Sequence, residues 1–216
     1  MTRFYHKTWF PYVAPFLLYF SISEATKYLP EWFFHLYLTK ILLTGGLLWA
    51  WRQKLSIDLK LTLTRMQTTI ALGFGMLGVL IWIVADQLQW ITLPASNIPT
   101  HWPLILEITV TTLFLLGFSL IMPIMSELFW RSFMLRYLIV QDFKSQPIGS
   151  FQFFSFFVVV VLTALPSEYV IAVALISILQ NTLMVWQKNL LCCIVASIIT
   201  HSLLAIYLLL NNQQWL

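Results

Sequence analysis

Charge is what this sequence lacks most. Of its 216 residues only 9% are Asp, Glu, Lys or Arg, where a water-soluble domain carries about 25%. Twelve Lys+Arg and 8 Asp+Glu cannot coat a globule of this size. A soluble enzyme, a disordered tail and a nucleic-acid-binding module are thereby excluded. Cysteine is almost as scarce. Cys192 and Cys193 stand side by side in an apolar run, where neighbours rarely bridge and two thiols fall short of a tetrahedral zinc site. They read as small packing residues, and neither a metal nor another cofactor is expected. The N-terminus also lacks a short apolar core followed by a small-residue cleavage site, so the first apolar segment is expected to stay as a membrane helix.

What the chain has is apolar sequence: 60% hydrophobic residues and a mean hydropathy of +0.84. A helix crosses the hydrocarbon with about 20 apolar residues, and seven segments qualify as candidates: 10–29, 33–51, 68–90, 104–125, 150–165, 168–186 and 190–210. The fifth is short, and the fourth is expected to continue as an amphipathic helix through residue 140. Turn material separates the segments at Leu29-Pro30-Glu31, Pro94–Pro99, Gln146–Gly149 and Gln187-Lys188-Asn189. The connections leave no room for a second domain. The expected fold is all-α, one polytopic membrane helix bundle over 1–216.

Basic residues set its orientation. With the N-terminus in the cytoplasm, Arg3, Lys7, Arg52, Lys54, Lys60, Arg65, Arg131, Arg136, Lys144 and Lys188 lie on the cytoplasmic side, and Glu31, Asp86 and Glu168 lie opposite. That arrangement, N-in and C-out, follows the retention of Lys and Arg in the cytoplasm. Trp9, Trp32, Trp51, Trp90, Trp102, Trp186 and Trp215 fall near segment ends, as interfacial anchors do.

Gly73-Phe74-Gly75-Met76-Leu77-Gly78 spells the dinucleotide fingerprint, but that motif belongs at a strand-to-helix turn in a soluble sheet. In mid-span, small residues instead let helices approach closely. Lys40, inside the second segment, is costly in hydrocarbon unless paired; a carboxylate such as Glu24 or Glu107 is its expected partner.

The densest polar cluster is 123–138. Glu127 and Arg131, at i and i+4, share a helix face. Two readings are open: an ion pair that clamps helices together, or a carboxylate aimed by Arg131 to activate water with His201, which lies about 16 Å into the last segment.

Glu127-Leu128-Phe129-Trp130-Arg131, followed by Phe133, Leu135, Arg136 and Tyr137, resembles the first motif of the CAAX prenyl protease and bacteriocin-processing (CPBP/Abi) intramembrane proteases. The likeness is greatest to the branch associated with exosortase and PEP-CTERM sorting. Phe10-Pro11-Tyr12, Pro15-Phe16, Lys40, Leu47-Leu48-Trp49, Pro147-Ile148-Gly149, Asn181, Tyr207 and Gln214-Trp215 follow that branch's landmarks in order.

The resemblance implies two adjacent glutamates and an Arg, a middle Phe-x-x-x-His, and a final His-x-x-x-Asn. A carboxylate and a His activate water, and the last pair stabilises an oxyanion. This chain departs from that set. Ser126 occupies the position of the general-base glutamate, and no His occurs between residues 102 and 200, so the middle motif near Leu162–Pro166 has no imidazole. In the last segment one register puts Ser197 at the His position and His201 at the Asn position. The other makes His201 the His and leaves Ala205 at the Asn position.

Three functions are compatible with these residues. The first is a catalytically degenerate homologue acting as a binding, scaffold or accessory subunit. The second is an active glutamate-type endopeptidase using Glu127, Arg131 and His201. The third is a transport component, although no inverted hydropathy repeat is visible. Membrane lipids and an integral-membrane partner or membrane-anchored peptide are the expected partners, and a bacterial inner membrane the expected location.

Overall fold

The computed structural model describes residues 7–59, 62–88 and 103–210. Arg3, Lys60, the Pro94–Pro99 turn, Trp90, Trp102, Gln214 and Trp215 lie outside them. Eight helices make up the described chain: α1 (Phe10–Tyr28), α2 (Phe33–Ala50), the single turn α3 (Arg52–Leu55), α4 (Arg65–Gln87), α5 (104–137), α6 (Phe153–Ala164), α7 (Val170–Gln187) and α8 (Leu190–Leu210).

All seven apolar segments are helical, and no strand occurs among the described residues. Helices α2, α4, α7, α8 and the Ile108–Tyr137 part of α5 are long and apolar enough to cross a bilayer. The bundle is therefore all-α and membrane-embedded. Helix α6, with 12 residues, extends only about 18 Å, well short of a hydrocarbon core of about 30 Å.

The surface is apolar and the interior carries the polarity. Leu17, Leu42, Met76, Leu80, Phe153 and Ile206 are exposed, whereas Glu127, Arg131, Arg136, Gln180 and Asn181 are buried. A lipid solvent produces that inversion, because apolar side chains lose nothing by facing it.

Local sequence sets the helix ends. Pro11 lies in the first turn of α1, where its missing N–H would have had no partner. Thr64 and Gln67 cap α4 reciprocally: the Gln67 N–H donates to Thr64 Oγ1 and the Thr64 N–H to Gln67 Oε1, each at 3.2 Å. Lys188, with φ of +47°, ends α7 and turns the chain into α8.

Helix α8 is packed against α4, α5 and α7. Its contact with α4 explains the false fingerprint. A Cβ at Gly75 would come within 2.7 Å of the Ile199 side chain and 2.9 Å of Ala196 O, and one at Gly78 would collide with Thr200. Thr200 Oγ1 donates to Gly75 O at 3.0 Å across the contact. Gly73 faces open space, so only two of the three glycines are needed for packing. Cys192 and Cys193 are buried and unbridged in α8.

Helix α5 is not the regular α-helix expected, and it ends at Tyr137 rather than residue 140. It widens into π-helix over Gly117–Ile121 and again over Leu128–Met134. Such turns are uncommon and concentrate at functional positions. The second begins one residue after Glu127.

Lys40 does not pair with Glu24, one of the two carboxylates expected for it. Its ammonium donates to Ser23 Oγ at 3.1 Å and lies 4.5 and 4.6 Å from the ring centroids of Tyr19 and Tyr37. Glu24 instead meets Lys27 at 2.9 Å. One turn of α1 supplies both Tyr19 and Ser23 to the α2 face, so ring faces and a hydroxyl are among the groups that hold the cation. The side chain of Glu107 lies outside what the structure describes.

A buried polar lock ties α1, the connection after α3 and α5 together. Asp58 Oδ2 accepts from Tyr12 Oη at 2.6 Å, Arg136 Nη2 at 2.7 Å and Ser132 Oγ at 2.8 Å. Burial alone would raise the Asp58 carboxyl. The hydrogen bonds and charge of Arg136, with those of Tyr12 and Ser132, outweigh it and hold the group below the usual carboxylate range.

Candidate functional site

A cavity of about 450 Å³ lies between α1, α5, α7 and α8, closed in part by Trp82 of α4 and by the turn after α6. Glu127, Arg131, Ser126, Ser197 and His201 all line it. The sequence-nominated residues are therefore brought to one place, from helices 70 residues apart in the chain.

Each side chain has a distinct role in the geometry. Glu127 is 2% exposed. Its Oε1 accepts a hydrogen bond of 2.6 Å from Ser197 Oγ, and Ser197 Oγ accepts one of 3.1 Å from Gln180 Nε2. The chain Gln180→Ser197→Glu127 thus links α7, α8 and α5. Arg131 Nε lies 3.4 Å from Glu127 Oε2, near enough for charge pairing, yet neither atom has an aligned hydrogen-bond partner. The π-helical turn between them removes the regular i, i+4 facing of an α-helix.

Ser126 lines the cavity, but its hydroxyl donates to Pro123 O of its own helix at 3.0 Å. His201 Nδ1 lies 2.7 Å from Ser197 O. A carbonyl only accepts, so Nδ1 carries the proton and Nε2 is the ring's open acceptor. The imidazole packs edge-on against Phe118, with ring centroids 5.1 Å apart. The α8 side chain hydrogen-bonded to Glu127 is Ser197.

Pro166, at the end of the Leu162–Pro166 stretch where the resemblance places the middle motif, also lines the cavity. Asn181 does not: its Nδ2 donates to Phe156 O at 3.2 Å. Tyr207, another sequence landmark, donates to Asp86 Oδ2 at 2.6 Å at the far end of the α4–α8 contact. No three His, Cys, Asp or Glu side chains converge as a metal site among the described residues.

Sequence reasoning missed Ser177 and Gln180. With Val173 and Ile176 they form the cavity-facing stripe of α7. The signal was available, since polar residues four and seven positions beyond Val173 in an otherwise apolar span are functional candidates. The Asp58 partner of Arg136 carried no such signal, because 78 residues separate the two.

Residues 108–204 match the family model described as Type II CAAX prenyl endopeptidase Rce1-like. The match begins within α5 and ends within α8, enclosing the polar lining residues of the cavity except Tyr19 and Ser23 of α1 and Trp82 of α4. Over that segment, rather less than half of the chain, the sequence is similar to that family. No curated protein and no solved structure matches the chain.

Proposed function

We propose that this Rce1-like membrane protein is a catalytically degenerate member, one that holds a membrane-anchored peptide or a partner's membrane segment in its cavity and serves as a binding or accessory subunit. The reading is supported most by one contact: the group facing the Glu127 carboxylate is the Ser197 hydroxyl at 2.6 Å. A hydroxyl in that place cannot take a proton from water at neutral pH as an imidazole does. Ser126, at the position of the family's general base, is turned to its own helix backbone, and Pro166 brings no imidazole to the cavity.

An electrostatic role remains for the buried pair. Glu127 and Arg131 balance each other in a low-dielectric interior, and either alone would be costly there. Glu127 further tethers α5 to α7 and α8 through Ser197 and Gln180. The site is thereby a clamp that keeps a polar pocket open to a ligand.

The second reading is residual endopeptidase activity. It is favoured by His201, whose Nε2 is free to act as a base in the same cavity as Glu127. The two readings part in cells lacking the gene. Under the binding reading the double variant Glu127→Gln/Arg131→Met and the variant His201→Gln both restore function, because the first leaves no buried charge unbalanced and the second keeps most of the side-chain volume that lines the cavity. Loss of function in both variants, with expression and folding unchanged, would support hydrolysis. The location we assign is a bacterial inner membrane, N-terminus inward, in a complex of the exosortase-associated kind that the sequence resemblance implies.

A further inference from the structure

Buried polar atoms in a membrane bundle are expected to be partnered, because lipid offers them nothing. Six buried side-chain atoms among the described residues have no hydrogen-bond partner. Four of them belong to residues lining the single cavity described above: Glu127 Oε2, Arg131 Nε, Ser177 Oγ and Gln180 Oε1. The first two offset one another in charge. Ser177, 1% exposed, and Gln180, 2% exposed, have no such compensation.

We infer that Ser177 and Gln180 of α7 form a subsite for an uncharged secondary amide carried on an apolar chain. Gln180 Nε2 is committed to Ser197, so its Oε1 is left as an acceptor for an N–H. The Ser177 hydroxyl is left to donate to a C=O. One acceptor and one donor, three residues apart on the same helix face, match the two polar groups of an amide. The formal charges of the lining, Glu127 and Arg131, sum to zero, which disfavours a charged ligand.

The rest of the cavity suits the apolar chain. Leu17 and Phe20 of α1 and Leu162 of α6 line it and are 55%, 42% and 42% exposed. They form an apolar mouth on the membrane-facing side, through which a lipid-embedded chain enters without crossing water. A membrane-anchored peptide presents this chemistry in its backbone, and an amide-linked lipid presents it in its headgroup. The inference rests on the proposed binding function of the same cavity and adds the residues that select the ligand.

The test uses the full chain in phosphatidylcholine nanodiscs with a fluorescent N-palmitoyl dipeptide amide and its ester analogue, in which oxygen replaces the amide N–H. A fluorescent ceramide and its ester analogue form the second arm. The amide is expected to bind about tenfold more tightly than the ester in whichever arm corresponds to the ligand's source, the scale of one or two buried hydrogen bonds. Ser177→Ala should weaken amide binding about fivefold with an unchanged melting temperature, because that hydroxyl has no partner to lose in the protein. Gln180→Met should abolish the preference for amide over ester. Equal affinity for amide and ester, or unaltered amide affinity in Ser177→Ala, would overturn the subsite while leaving the binding function standing. Failure of all four probes to bind the unaltered protein would overturn both.

Discussion

Ser197 and Glu127 share a hydrogen bond of 2.6 Å, while His201, one turn further along α8, is turned to the Ser197 carbonyl. Four residues of helix thus separate the hydroxyl that serves the carboxylate from the imidazole that could have served it. On the binding function proposed above, Glu127 acts as a structural anchor rather than as a base.

The Glu127–Arg131 pair gives the first expectation. Arg131→Ala leaves a buried carboxylate unbalanced and should cost about 3–5 kcal/mol. The double variant Glu127→Gln/Arg131→Met should recover much of that loss, because no buried charge remains. Thermal denaturation in detergent of the single and double variants measures the difference. Equal destabilisation of the two would show that charge balance is not what the pair supplies.

Close packing of α4 on α8 gives the second. Gly75→Val and Gly78→Val each force a side chain into Ile199 or Thr200. Each should destabilise by about 1–3 kcal/mol or more, the range for overpacking. Gly73→Val, facing open space, should not. Melting temperatures of the three variants give the comparison.

A third expectation concerns acid. Asp58 has its carboxyl lowered in the folded protein. Its contribution is fully present above the unfolded carboxylate value of about 3.9, and is lost as pH falls through the lower folded value. The unfolding midpoint should therefore drop steeply below about pH 4. Asp58→Asn should be less stable at pH 7, since Arg136 loses its partner, and should lose that acid dependence. Denaturation midpoints from pH 3 to pH 7 read both effects.

Orientation is checked by labelling. Lys7→Cys and Glu168→Cys place thiols at exposed positions, while the native Cys192 and Cys193 are buried. An N-in arrangement predicts labelling of residue 168 in intact cells by an impermeant maleimide, and of residue 7 only after lysis. The opposite pattern would reverse the topology.

Much of the fold was legible because the apolar runs are long and the interruptions sharp. All seven segments became helices, and the fingerprint at Gly73–Gly78 was correctly set aside from its mid-span context. The lines of failure are physical. Helix α6 is too short to span at its full apolar strength. The π turns of α5 leave no mark in sequence, because the same residues form ordinary helix elsewhere. Lys40 has aromatic faces and a hydroxyl beside it, and periodicity does not reveal them.

At the site, the residues nominated from sequence share one cavity, but the relations between them were not legible. Glu127, Arg131, Ser197 and His201 do meet in one cavity. Which α8 residue faces Glu127 depends on the rotation of α8 against α5, which the sequence does not give; the contact is made by Ser197. Ser177 and Gln180 escaped notice because serine and glutamine in an apolar span draw less attention than a charge.

Hydrolysis itself is the most direct test. Purified protein in lipid vesicles is incubated with prenylated and transmembrane peptides, and products are sought by mass spectrometry. The account predicts intact peptides, with the same result for Glu127→Ala. Cleavage by the unaltered chain that disappears in Glu127→Ala would contradict it.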